Sequence, residues 1–262
     1  MKLDSLISSL SKATNELTKS TEKLGSGKRI NRAADDAAGL AIVSQLVSDE
    51  KVQRQASSNI DYGKSVSDVQ DAALSSISDI SQRRAELAAQ ASNGTLSDSQ
   101  RSALDAEYQS LGQEADRIVA STEFNGVNPL KNEVNLQVGG TSGSDLQIAL
   151  GATPASVLSG SGGNLLSTSS AQAALDSATS KIGQVSEARG SNGASASRLE
   201  YAQDAAESNA LEKASARSRI EDADIAETVA RRVASEIQQN ATAALLAQAG
   251  QLNRQNAAVL LK

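Results

Sequence analysis

Leucines at positions 3, 10, 17 and 24 step by seven along the start of this chain, and Leu245, Leu252 and Val259 repeat the step near its end. A seven-residue apolar step draws a stripe down one side of an α-helix, and such a stripe is stable only when laid along another helix. Near the N-terminus Leu6 and Ala13 hold the second seam position, Ser20 interrupts it, and lysines with Glu16 and Glu22 fill much of the outside. Each terminal stretch is short, rich in Ser, Thr, Asn or Gln and without aromatic rings, so alone in water it is marginal. The two ends are therefore expected to run side by side.

Further heptad phases fill the interior. Val66, Ala73, Ile80 and Leu87 step by seven, with Ile77, Arg84 and Ala91 at the alternate position. Arg84 on that seam either snorkels outward or marks a contact. Leu104, Tyr108, Leu111, Ala115 and Ile118 form the cleanest helical stripe, preceded by a cap at Ser97 and Asp98. Leu175, Ala178, Ile182 and Val185 begin another helix, which Gly190-Ser191-Asn192-Gly193 is expected to bend or fray. Helical spacing continues through Leu199, Ala202, Ala206 and Ala210, then through Ile225, Val229, Val233 and Ile237.

The middle changes character. Asn125-Gly126 is a tight-turn signal, and Val134–Val138 and Leu146–Leu150 alternate apolar and polar residues as strands do. Between them Gly139-Gly140-Thr141-Ser142-Gly143-Ser144 closes a predicted antiparallel hairpin, and residues 151–170 read as a Gly/Ser-rich surface loop. The fold class expected is mainly α: an elongated rod of long antiparallel, coiled-coil-like helices with the N- and C-terminal helices paired, plus a small β-hairpin at about 134–150. Residues 1–34 and 222–262 would form a terminal-helix inner domain, and residues 35–221 a middle domain.

Composition narrows the chemistry. The 262 residues include no Cys, no His, no Trp and one Phe, so packing falls to Ala, Leu, Ile and Val. Thiolate chemistry is excluded, and the commonest general base and metal ligand is missing. No cofactor and no metal are expected. The net charge of −6 leaves no electrostatic footprint for nucleic acid. No apolar run approaches ~20 residues, so no membrane insertion is expected. Met1–Ile7 lacks the apolar segment of a cleaved secretory signal, so export would need another route.

Two long helical patterns meet at Leu24–Ile42. Gly25 and Gly27 stop the first, and Asp35 or Asp36 can cap the second. Ser26-Gly27-Lys28-Arg29-Ile30-Asn31, followed by Ala33-Ala34-Asp35-Asp36-Ala37-Ala38-Gly39-Leu40-Ala41-Ile42, resembles the N-terminal signature of bacterial flagellin. Ala216-Arg217-Ser218-Arg219-Ile220-Glu221-Asp222-Ala223-Asp224 resembles the second signature of that family, and Leu245–Asn253 is similar to its terminal helix. Glu123–Val127 and Gln137-Val138-Gly139 also match it around the hairpin. The resemblance spans nearly the whole chain apart from residues 151–170, where larger flagellins carry variable outer domains. About twenty residues are too few for a domain, so this looks like a short form.

The resemblance implies a structural subunit, not an enzyme, that is exported through the flagellar type III channel and polymerises into the extracellular filament for swimming. Implied partners are further copies of itself, a flagellar export chaperone, cap and junction proteins, and the flagellin-sensing toll-like receptor. An open helical polymer follows when a repeated head-to-tail contact does not close on itself. The polymerisation seams would be Leu3, Leu6, Leu10, Leu17, Leu245, Leu252 and Val259; an intramolecular coiled coil is the alternative. Receptor contact carries over to Arg83, Leu87 and Glu107, although Arg84 stands where an apolar residue is common and Ala85 where Arg is common. A solvated charged face with Leu87 in the core is the competing reading. A hook–filament junction protein shares the terminal helices and is the nearest alternative function. A chemoreceptor-like signalling coiled coil would lack the strand pair.

Overall fold

The structure, a computed structural model, describes the backbone of residues 3–139, 147–160 and 162–260; the side chains of residues 3, 155, 156, 253 and 255–260 lie outside that description. The predicted turn at Gly140–Ser144, Leu146, and the side chains of Leu3 and Val259 therefore fall outside the described residues. In chain order the elements are α1 (Leu3–Ser26), α2 (Ala37–Ala91), α3 (Asp98–Ser121), β1 (Val134–Gln137), β2 (Gln147–Leu150), α4 (Ala155–Leu158), α5 (Thr168–Glu221) and α6 (Ile225–Leu260). The fold is mainly α with one two-stranded antiparallel sheet.

The chain divides into two compact units, residues 1–50 with 211–262 and residues 51–210. These boundaries lie further into α2 and α5 than the 34/35 and 221/222 positions suggested by the sequence. Ion pairs explain the shift. Lys213 Nζ lies 3.1 Å from Asp49 and Arg217 Nη1 2.8 Å from Glu50, so the first turns of α2 stay with the end of α5.

In the unit of residues 51–210, α2 and α5 carry the core. One cluster joins Leu74, Ile77, Val119, Leu130, Val157 and Val185. A second joins Leu87, Ala88, Tyr108, Leu165 and Ala174. The third packs the hairpin, through Ile148 and Leu150, on Ile60, Val66 and Leu199. That covered face is what lets two short strands persist. The strands pair with Val134 opposite Leu150 and Gln137 opposite Gln147, and their alternation puts Leu136, Ile148 and Leu150 on the helices. Ser97 and Gln100 form a reciprocal capping box that starts α3.

Two local expectations are corrected and one open alternative is resolved. The Gly190–Gly193 stretch does not fray; α5 runs through it unbroken. Asn192 is buried there and exchanges two hydrogen bonds with Ser67 on α2, which ties the helix down where its glycines would loosen it. Residues 151–170 are not simply a surface loop: Val157, Leu158 and Leu165 are buried, and α5 already starts at Thr168. Small neighbours hid those apolar residues in the sequence. Of the two readings of Arg84, the contact is the one the structure shows. Its guanidinium stacks 3.9 Å from the Tyr108 ring and donates to the carbonyls of Gly160 (2.6 Å) and Gly162 (3.1 Å), pinning the loop. Gly112 makes room for this, since a Cβ there would sit 2.6 Å from the Gly160 carbonyl.

Candidate functional site

The joint and the helices that leave it form the candidate site in the unit of residues 1–50 and 211–262. Gly27, at φ +72°, ends α1 in the left-handed conformation that glycine adopts without strain. The chain then turns in a loop closed by Asp35, whose Oδ2 accepts from the amides of Asn31 (3.1 Å) and Arg32 (3.0 Å). Those two amides hold its carboxyl below the usual range. Asp36 caps α2 by accepting from the Gly39 amide at 2.8 Å. The two adjacent carboxylates therefore do different jobs: one closes the loop and the other starts the helix.

The two ends of the sequence zip together here. The Arg29 amide donates to the Glu221 carbonyl at 2.6 Å, its Nη2 donates to the Ile220 carbonyl at 2.6 Å, and the Ala223 amide donates to the Gly27 carbonyl at 2.9 Å. Lys28 Nζ reaches the Glu221 carboxylate at 2.5 Å. Ile30 is buried beneath, and Asp224 caps α6 through the Glu227 amide at 3.0 Å. Lys213, with a smaller contribution from Gln45, holds the nearby Asp49 carboxyl below its ordinary value by hydrogen bonding.

From the joint α1 and α6 run antiparallel in contact, with Gln239 Nε2 donating to Thr14 Oγ1 at 3.1 Å. Which residues face inward revises the sequence reading. On α1 the buried positions are Leu6, Ala13 and Ser20, while Leu10 and Leu17 are half-buried flanks. Ser20 does not break the seam; it belongs to it. On α6 the inward residues are Thr228, Ser235, Thr242 and Ala249, again seven apart, with Gln239 and Leu246 beside them. Small side chains occupy the seam because the helices approach closely. Leu245 and Leu252, expected on a seam, are 43% and 53% exposed. Ile225, Val229, Val233 and Ile237 are exposed as well. At 3.6 residues per turn Val229, Val233 and Ile237 lie on the half of α6 turned from α1, while Ile225, Leu245 and Leu252 flank the seam.

Of the receptor residues, the structure brings two together on the surface. Arg83 donates from Nε (3.0 Å) and Nη2 (2.8 Å) to Glu107 on α3, and from Nη1 to Glu86 at 3.0 Å. These hydrogen bonds, Glu107 foremost, raise its already high pKa. Leu87 does not join them; it is 1% exposed, packed in the cluster with Tyr108 and Leu165. The inward small-residue seam of α6 and the partners of Arg84 were missed by sequence reasoning. The first was legible as the seven-residue step Thr228–Ser235–Thr242–Ala249, had small polar residues been counted with the apolar ones.

Among the described residues no group of His, Cys, Asp or Glu is placed to hold a metal ion, and no helix is long and apolar enough to cross a membrane. What the geometry defines is a mainly helical protein whose last helix leaves large apolar side chains exposed.

The bacterial flagellin N-terminal helical region matches residues 3–134, and the bacterial flagellin C-terminal helical region matches residues 175–261. The flagellin of Halalkalibacterium halodurans is 36% identical over 242 residues, covering 90% of this chain and 89% of the relative. That of Listeria monocytogenes is 32% identical over 261 residues, covering 92% and 91%. The phase 1 flagellin of Salmonella naestved is 41% identical over 143 residues, which is 54% of this chain but 28% of that longer protein. The crystal structure of Bacillus cereus flagellin superposes with a TM-score of 0.51 at 28% identity, covering 56% of this chain and 88% of that one.

The chain belongs to the bacterial flagellin family. It is a structural subunit of the extracellular flagellar filament, which forms by self-polymerisation, and it is not an enzyme.

Proposed function

We propose that the outward apolar face of α6 is the surface that polymerisation covers. The observation that carries this is the set of large apolar residues, Ile225, Val229, Val233, Ile237, Leu245 and Leu252, that stay exposed around the part of α6 its pairing with α1 leaves open. Leu3, Leu6, Leu10, Leu17 and Val259 are assigned to the same assembly: Leu6 holds the pair together, and the half-buried Leu10 and Leu17 flank it for neighbouring subunits. A pair with a seam of Ala, Ser and Thr buries little apolar area. It struggles to offset an ordering cost of ~1–2 kcal/mol per residue. The terminal segments, 1–23 and 235–262, are thus weakly ordered in the exported monomer and gain their helices in the filament. That pliability suits passage through the flagellar type III channel, binding of the C-terminal region by an export chaperone, and growth beneath a cap above junction proteins.

Seeding purified monomer with filament fragments and viewing the product by electron microscopy tests the assembly. Wild type elongates the seeds, whereas Leu252→Asp and Leu10→Asp do not, with α2, α3 and α5 still folded. Amide exchange then tests the ordering: strong protection of both termini in dilute monomer would overturn it.

The exposed Arg83–Glu107 pair is also proposed as the centre of a contact with the flagellin-sensing toll-like receptor, with Leu87 supporting it from the core. Arginine commonly anchors interfaces through its several donors. Arg83→Ala should lower reporter activation by monomer; equal activation by wild type and variant removes the assignment.

A further inference from the structure

Asparagine is followed by glycine at Asn93, Asn125 and Asn192. Such a pair is chemically reactive, because a glycine nitrogen is unshielded by a Cβ and can close a five-membered ring on the asparagine side chain. The structure places the three in different circumstances. Asn192 is buried inside α5, where the helix commits the Gly193 amide and Ser67 holds both ends of the Asn192 side chain. Asn125, at φ +51°, and Gly126, at φ +78°, form a turn closed by reciprocal backbone hydrogen bonds between Phe124 and Val127 at 2.8 and 3.0 Å. Rotating the Gly126 nitrogen onto the side chain would break that closure.

Asn93 differs on each count. It lies exposed between α2 and α3, and Gly94 beside it is exposed with nothing within 4 Å of where a Cβ would stand. Its backbone is held only by long hydrogen bonds, 3.2 Å to the Gln90 carbonyl and 3.3 Å from the Leu96 amide. Its side-chain Oδ1 accepts from both the Thr95 amide, at 3.1 Å, and the Thr95 hydroxyl, at 3.0 Å. That oxygen is the one that becomes negative when a nitrogen adds to the carbon bearing it. Donors already aimed at it grip the oxyanion more tightly than the neutral carbonyl, which lowers the barrier to addition.

We propose that Asn93 is a self-modification site, at which the Gly94 nitrogen displaces the side-chain amide to form a succinimide that water then opens. The bond from Gly94 N to Asn93 Cγ forms and the Cγ–Nδ2 bond breaks. The proton from Gly94 N leaves with the amide as ammonia, and nothing is oxidised or reduced. Water cutting the ring at Cγ gives aspartate; cutting it at the backbone carbonyl carbon gives isoaspartate. In the second product the new carboxylate is the former backbone carbonyl, which already accepts from Arg101 Nη1 at 3.2 Å, so the guanidinium stabilises it.

Full-length monomer, aged in mildly alkaline buffer and mapped by peptide mass spectrometry, tests the site, with isoaspartate read by an isoaspartyl methyltransferase. Asn93 should convert at least tenfold faster than Asn125 or Asn192. In urea the three rates should converge, with Asn93 no faster than in the folded chain. Thr95→Val, a change in an exposed loop, removes one of the two donors and should slow Asn93 about tenfold. Gly94→Ala should slow it too, by shielding the nitrogen. Equal rates at the three sites in the folded chain, a faster Asn93 in urea, or an undiminished rate in either variant overturns the proposal.

Discussion

The two units of this chain spend their apolar residues in opposite ways. Every one of the largest fully buried side chains, among them Tyr108, Ile60, Leu74, Leu130 and Leu199, lies between residues 60 and 199. The other unit buries Leu6, Ala13, Ser20, Thr228 and Thr242, and leaves Ile237, Leu245 and Leu252 in solvent. One unit has completed its hydrophobic core within a single chain. The other has completed a joint and a narrow seam, and its large side chains stay exposed, as the assembly proposed above requires. Burial of large side chains, more than helix content, separates the two units.

The largest effect should fall where the core is closed. Leu74→Ala or Leu199→Ala empties a fully buried site and should cost about 2–5 kcal/mol, read as a fall in the urea midpoint of the monomer. Leu245→Ala should change the stability read from that midpoint by no more than about 0.5 kcal/mol. Equal losses would erase the contrast between the units.

Next in size is the seam. Ala13→Leu forces bulk between closely approaching helices and should destabilise the filament by about 1–3 kcal/mol, measured by its thermal dissociation. Leu17→Ala, on the flank, should do less. The reverse order would restore the leucine heptad as the true seam.

Arg29→Ala removes a charged donor from the Ile220 carbonyl on a half-exposed side chain. A loss of about 1 kcal/mol is expected, visible as faster amide exchange at Ala223 with exchange in residues 51–210 unchanged.

The smallest effect is electrostatic. Asp35 and Asp49 have folded pKa values below their unfolded ones, so their contribution is fully present above about pH 4. It is lost as pH falls through the lower folded values. Acid should therefore loosen the joint. Added salt should blunt the Lys213–Asp49 share of that response more than the Asp35 share, which comes from backbone amides. Exchange at Asn31 and Arg32 measured down the acid range checks it.

Much of this contrast was legible in the sequence. The glycine stop at Gly27, the caps at Asp36 and Ser97, and the strand pair at 134–150 each rest on local chemistry, and each stands in the structure. What stayed hidden depends on distant partners. Nothing near Arg84 announces that Tyr108 and the Gly160 and Gly162 carbonyls will surround it, and nothing near Asn192 announces Ser67. The seam was misread for a related reason: leucines draw the eye, but the tightest contact between helices selects the smallest side chains. Leu87 illustrates the ambiguity of one position, since a heptad leucine beside an exposed Arg83 can serve a core or a contact, and here its side chain packs in the core.

The joint has one more consequence, which concerns alignment. A seam built from Ala13, Ser20, Thr228, Ser235 and Thr242 is nearly periodic, so sliding α6 along α1 by one heptad, roughly 10 Å, replaces each small residue with another. Apart from the buried Leu6 and the Gln239–Thr14 hydrogen bond, such a pair carries little that prefers one offset. The hydrogen bond from Ala223 to Gly27 and the few residues between Asp222 and Ile225 select one offset among near-equals. A fixed origin, set at one end, therefore graduates the whole length of both helices like the zero mark on a ruler.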